Sequence, residues 1–157
     1  MRYLFGNEEE EVKKYFLISA EIALESCCLR ARGGIVIVKD DKIIGCGFNS
    51  PPLNRCLEKC TRYFLDGDFK SDKTCCVHAE DRAVRDALKK GNNLKGSRIY
   101  YIRIDEKGEK VFAGKPYCTI CSKLVLDEGI KEFSLWHENG IAVYDSFEYN
   151  EISFGLI

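Results

Sequence analysis

Between Glu8 and Arg30 the positions Val12, Tyr15, Phe16, Ser19, Ala20, Ile22, Ala23 and Cys27 recur at spacings of three and four. A stripe on that period predicts an amphipathic helix over 8–30, broken by Gly33-Gly34. The pattern then changes. Ile35-Val36-Ile37-Val38 is a β-branched run, Asp40-Asp41 supplies a turn, and Ile43-Ile44-Gly45-Cys46-Gly47-Phe48 returns, which predicts a hairpin. Asn49-Ser50-Pro51-Pro52 leaves the sheet, and residues 53–76 follow with no clear period. A second helix is expected over 78–90, with Ala79, Ala83, Ala87 and Leu88 apolar and Gly91-Asn92-Asn93 stopping it. Ile99 to Ile104 reads as a strand, and Asp105 to Glu109 as a turn. Cys118 to Glu128 reads as another helix, with Gly129 where a helix-ending glycine belongs. Phe133–Trp136 and Ile141–Tyr144 are shorter strands, and an aromatic tail follows with Phe147, Tyr149 and Phe154, expected to pack on the core or on a neighbouring subunit.

This order predicts an α/β fold, a sheet with helices packed on its faces. The last elements alternate as crossover units do, so part of the sheet should be parallel. No repeat or low-complexity linker interrupts the chain. One domain is expected over 1–157, with 53–76 as a cysteine-bearing insertion.

Composition narrows the partners. The net charge is −1 with a pI near 6.2, and no basic block stands out, which argues against a long polynucleotide groove. Two or three arginines could still hold one phosphate. No apolar run is long enough to span a membrane. Met1 to Val12 carries Glu8 to Glu11 and no secretion-like stretch, so a cytoplasmic location is expected. In that setting nine cysteines point first to metal binding or catalysis, not to a disulfide framework.

The chemistry concentrates at two helix starts. His78-Ala79-Glu80 opens one helix and Cys118-Thr119-Ile120-Cys121 opens the next. Zinc accepts imidazole nitrogen and thiolate sulfur, and three protein ligands leave a fourth position for water. A carboxylate two residues after the histidine can sit beside that water without ligating the metal, and move its protons. Helix N-termini also favour thiolates. A Cys-x-x-Cys alone could equally be a redox pair or half a structural zinc site.

H-x-E followed by Cys-x-x-Cys is the signature of zinc nucleobase deaminases. The chain resembles the cytidine/deoxycytidylate deaminase family beyond that motif, in Ser26–Val38, Ile43–Asn49, Cys76–Glu80 and Cys121–Ile130, and leans toward the deoxycytidylate branch. The resemblance implies a three-layer α/β/α fold with a mixed central sheet and helices on both faces. It implies catalytic zinc on His78, Cys118 and Cys121, proton transfer by Glu80, and hydrolysis of a cytosine nucleotide such as dCMP to dUMP and ammonia. Asn49 and Ala79 would contact the nucleotide, with Arg30 and Arg32 as candidates for its 5′-phosphate. It also implies a homo-oligomer and no nucleic-acid partner. Deamination of another base or of a base in nucleic acid, or a zinc-binding relative without activity, are the alternatives.

The chain departs from the family where Tyr117 follows Pro116 and takes the place of the proline before the first cysteine, where Ser50 follows Asn49, and at Asp81-Arg82. Cys56, Cys60 and Cys75 are candidates for a second, structural zinc, if residues 56–60 are helical. Reduced core cysteines or a disulfide are the other readings. Cys27, Cys28 and Cys46 read as buried small apolar residues, and His137 as a solvated turn residue.

Overall fold

The computed structural model describes residues 1–68 and 73–157. Its elements are β1 (Arg2–Tyr3), α1 (Gly6–Ala23), β2 (Arg32–Lys39), β3 (Lys42–Phe48), α2 (Ala79–Lys89), β4 (Arg98–Ile104), β5 (Lys110–Val111), α3 (Thr119–Asp127), β6 (Glu132–His137), β7 (Gly140–Asp145) and α4 (Ser146–Phe154). Short 3-10 turns at Pro52–Asn54 and Thr61–Phe64 punctuate the excursion after β3, of which residues 69–72 lie outside the described residues.

The strands form one mixed sheet in the order β1-β7-β6-β4-β2-β3, with β5 pairing β4. The β2–β3 hairpin forms as expected, with a register shift at Ile37/Val38. β2 pairs β4 antiparallel, and β4 pairs β6 in parallel, the geometry a helical crossover requires. β3, β4 and β6 therefore run in one direction. The helices that follow β3 and β4 begin at the same end of the sheet, where α/β folds build their sites.

Alternation along the strands separates two cores. Val36, Val38, Tyr100 and Ile102 face Val12, Tyr15 and Phe16 of α1. Ile35, Ile37, Ile99, Phe133 and Leu135 face Ala79, Ala83 and Ala87 of α2, Val125 of α3 and Tyr149 of α4. The result is the expected three-layer α/β/α arrangement. Glycines set the spacing of the layers. A Cβ at Gly47 would lie 2.5 Å from the Ala83 nitrogen and 2.6 Å from the Ala79 oxygen, so α2 rests directly on β3.

Two expectations change. α1 stops at Ala23 and does not reach residue 30, because the chain beyond it is recruited elsewhere: the Ser26 hydroxyl bonds the Asn49 backbone and side chain. The aromatic tail is a helix. Asp145 caps it by accepting the Phe147 N–H at 2.9 Å, and Gly155 closes it in the left-handed conformation.

Candidate active site

His78 is the N-cap of α2 and Cys118 the N-cap of α3, so both halves of the motif arrive at helix starts on the same side of the sheet. His78 Nδ1 lies 3.1 Å from Cys121 Sγ and 3.4 Å from Cys118 Sγ, and the two sulfurs are 3.4 Å apart. Tetrahedral zinc with Zn–S near 2.3 Å would hold two sulfurs at roughly 3.8 Å, so the trio fits the ion with a small outward adjustment. Among the described residues it is the one group of three or more His, Cys, Asp or Glu side chains close enough to hold a metal.

The trio is electrostatically prepared. Hydrogen bonds from Cys121 and then His78 hold the Cys118 thiol down to about 4, and the bond to Cys118 pushes His78 up to about 9. Without metal the pair is a thiolate and an imidazolium at neutral pH. Cys121 is driven up, by its hydrogen bond to Cys118 and then by burial. Glu80 is buried in the first turn of α2, and burial raises its carboxyl. The charge of His78, its own backbone and the Cys121 side chain pull the other way, which places Glu80 beside the metal trio. The exposed Tyr117 does not disturb this: Cys118 still caps α3, and Pro116 is buried behind it.

A chamber of about 260 Å³ opens onto His78, lined also by Asn49, Tyr101, Arg30, Arg62 and Arg103. Asn49 is largely committed to the protein. Its Oδ1 accepts from Gly33 N at 2.8 Å and from Ser26 Oγ at 2.9 Å, and its Nδ2 donates to Ala31 O at 2.7 Å. One amide hydrogen remains for a ligand. Ala79 is buried at the first position of α2, where its N–H has no intrahelical acceptor. Arg30 is exposed at the rim. Arg32 is turned away, donating to the Asp105 carbonyl at 2.5 Å.

Tyr101, Arg62 and Arg103 were not singled out from the sequence. The alternation of β4 puts Tyr101 and Arg103 on one face, but only the packing of α1 on the other face tells which one meets the site. Arg82, in the second turn-position after His78, donates to Ser50 O, Pro51 O and Asn54 Oδ1 at 3.2, 3.0 and 2.7 Å. It ties the loop after Asn49 to the metal helix.

The extra cysteines behave differently from expectation. Residues 55–60 carry no helix, so Cys56 and Cys60 do not share a face. Cys56 is disulfide-bonded to Cys27, with Cα atoms 5.5 Å apart, because the turn after α1 delivers Cys27 beside Ser50 at the start of the excursion. The trio Cys56, Cys60 and Cys75 is therefore not assembled, and Cys27 is a cross-link, not a plain apolar residue. Cys75 and Cys76 keep free thiols 4.0 Å apart. His137, too, is no solvated turn residue: it ends β6 with Nδ1 2.9 Å from the Ala113 carbonyl and Nε2 2.8 Å from the Tyr144 hydroxyl.

Residues 9–136 match the family model described as the cytidine and deoxycytidylate deaminase zinc-binding region. The chain is 30% identical over 127 residues to a deoxycytidylate deaminase of Mycobacterium phage D29, covering 75% of this chain and 88% of that protein. It is 27% identical over 147 residues to the deoxycytidylate deaminase of Saccharomyces cerevisiae, covering 91% of this chain but spanning only 40% of the yeast protein. In fold it is similar to the dCMP deaminase of cyanophage S-TIM5 solved with dCMP and dUMP, at a TM-score of 0.56 and 20% identity, over 83% of this chain and 82% of that one. Since the family match runs through both halves of the metal motif and most of the sheet, this chain belongs to the cytidine and deoxycytidylate deaminase zinc-binding family.

Proposed function

We propose that the protein is a zinc-dependent hydrolytic deaminase of a cytosine nucleotide, with dCMP to dUMP as the reference reaction. The observation that carries this reading is the buried Glu80 beside His78, Cys118 and Cys121: a purely structural zinc site has no use for a non-ligating carboxylate beside its ligands. The deoxycytidylate deaminases among its relatives, and the cyanophage enzyme solved with dCMP and dUMP, support the substrate class.

His78, Cys118 and Cys121 would hold the ion, which when bound supplies the Lewis acidity that lets water lose a proton near neutral pH. Glu80 takes one proton of the attacking water and delivers it to ring N3, then takes the second, from the hydroxyl added at C4, and delivers it to the departing amine. Its burial suits both tasks, because raising the carboxyl pKa makes the carboxylate a stronger proton acceptor than a solvated one. The remaining Asn49 N–H and the Ala79 amide would orient the nucleotide. Arg30 would meet its phosphate. The domain so read covers 1–157. Self-association is part of the same proposal, supported by the exposed Tyr63, Phe64, Tyr117 and Ile120.

The test is ammonia release by zinc-loaded protein across dCMP, CMP, deoxycytidine, cytidine, guanine and a short single-stranded DNA. Turnover of dCMP is expected. Glu80→Gln should keep its zinc and lose about 10²–10⁴-fold in kcat; near-wild-type turnover by that variant refutes the assignment.

A further inference from the structure

The chamber that holds His78 does not end at Arg30. A second cavity of about 360 Å³ adjoins it, and the two share Cys28, Arg30, Ala31 and Arg103 as common wall. Beyond that wall the second cavity is lined by Arg32 and Lys107, so four cationic residues line it, Arg32 with one guanidinium nitrogen given to the Asp105 carbonyl. Two acidic residues, Asp105 and Glu106, also line it, so the four cations exceed the acids by two; Asp105 turns its Oδ1 to the backbone N–H groups of Lys107 and Glu109 at 2.9 and 2.8 Å. In a chain of net charge −1 this is a local excess of positive charge beside the chamber that reaches His78. Such an excess focuses the field on an anion.

Arg103 sits at the junction. Its Nε is buried and has no hydrogen-bond partner, so the guanidinium presents a donor for which the protein supplies no acceptor. Buried donors left in this state are exceptions that call for a ligand or a water. Guanidinium groups match phosphate oxygens with paired N–H donors. The chamber itself is smaller than the roughly 300–1,000 Å³ that encloses a whole drug-sized ligand. It has room for base and sugar, whereas the adjoining cavity has the size and charge for what hangs from the 5′ carbon.

We propose that this basic annex binds a phosphate chain, so that the preferred substrate is a cytosine nucleoside di- or triphosphate rather than the monophosphate. The inference rests on the cytosine-nucleotide reading and narrows it. A monophosphate would engage Arg30 and Arg103, while the outer phosphates of a longer chain would reach Arg32 and Lys107. The chemistry is unchanged: water adds to C4, the bond from C4 to the exocyclic nitrogen breaks, and ammonia leaves with the phosphate chain intact.

Steady-state ammonia release from dCMP, dCDP, dCTP and a short single-stranded DNA, with zinc-loaded protein, tests the annex. The expected kcat/KM for dCTP exceeds that for dCMP by tenfold or more, chiefly through KM, and the double variant Arg32→Ala/Lys107→Ala cuts that advantage below threefold. Equal or better use of dCMP overturns the proposal, as does an advantage the double variant leaves intact, or a preference for the DNA. Should no cytosine compound turn over, the deaminase reading fails, and calorimetric titration of the zinc-loaded protein with inorganic tripolyphosphate still decides the annex. Binding weakened tenfold by the double variant supports it; absence of binding overturns it.

Discussion

Zinc capture by this site is a matter of protons. Cys118 is already a thiolate above about 4, but His78 holds its proton up to about 9 and Cys121 holds its own still more firmly. Between those values, each zinc that binds displaces one proton from His78 and one from Cys121. Metal affinity should therefore rise with pH, by about two orders of magnitude per unit across that window, and flatten in His78's contribution above about 9. Competition against a chromogenic chelator from pH 5.5 to 8 measures the slope; a fall to about one order of magnitude per unit, with only the Cys121 proton displaced, would mean that the metal-free histidine is neutral. The candidate metal trio and the acid beside it could be picked out from residue type and order alone, because zinc chemistry restricts both. Asn49 was legible only as a position. That all but one hydrogen of its amide is taken up by Gly33, Ser26 and Ala31 depends on chain segments meeting, which no local spacing encodes.

The long elements were readable because each buries one face, and period follows burial. The helices α2 and α3 stand within a residue of where the pattern put them, and the hairpin within three. The failures have physical reasons. β1 and β5 are two residues each and exist only through their partners β7 and β4. The C-terminal α4 carried its signals in Asp145 and Gly155, but aromatic residues are spread around it and no single stripe emerges. Its anchorage is polar in part, with Ser122 of α3 donating to Asn150 at 2.8 Å. The seam between α2 and β3 yields the sharpest prediction at this scale. Gly47→Ala places a methyl against the backbone of Ala79 and Ala83, and a helix cannot yield there without carrying His78 and Glu80 with it. A loss of about 1–3 kcal/mol is expected in denaturant unfolding, together with at least a tenfold fall in kcat. Unchanged activity would mean that α2 shifts without disturbing its N-terminus.

At the scale of the molecule, the metal joins what the chain order keeps apart. α2 reaches the site between β3 and β4, and α3 reaches it between β4 and β6, so the ion would clamp two successive crossovers across the sheet. Zinc at a thousandfold excess over its Kd should add about 4 kcal/mol, and in a protein of this size each kcal/mol moves Tm by about 2–4 °C. Stripping the metal with a chelator should thus lower Tm by about 8–16 °C in a calorimetric scan; a shift under 2 °C would show that the helices are held without it. Among the described residues no helix is long and apolar enough to cross a membrane. The sole tryptophan gives this experiment an optical readout. Trp136 points to the α1 side of the sheet, edge-on to Phe16 at 5.4 Å and beneath the Lys110 ammonium at 3.5 Å, with the whole sheet between it and the ligands. Its emission is a private gauge of the far layer: it should stay constant while zinc comes and goes, and change only when the sheet itself lets go.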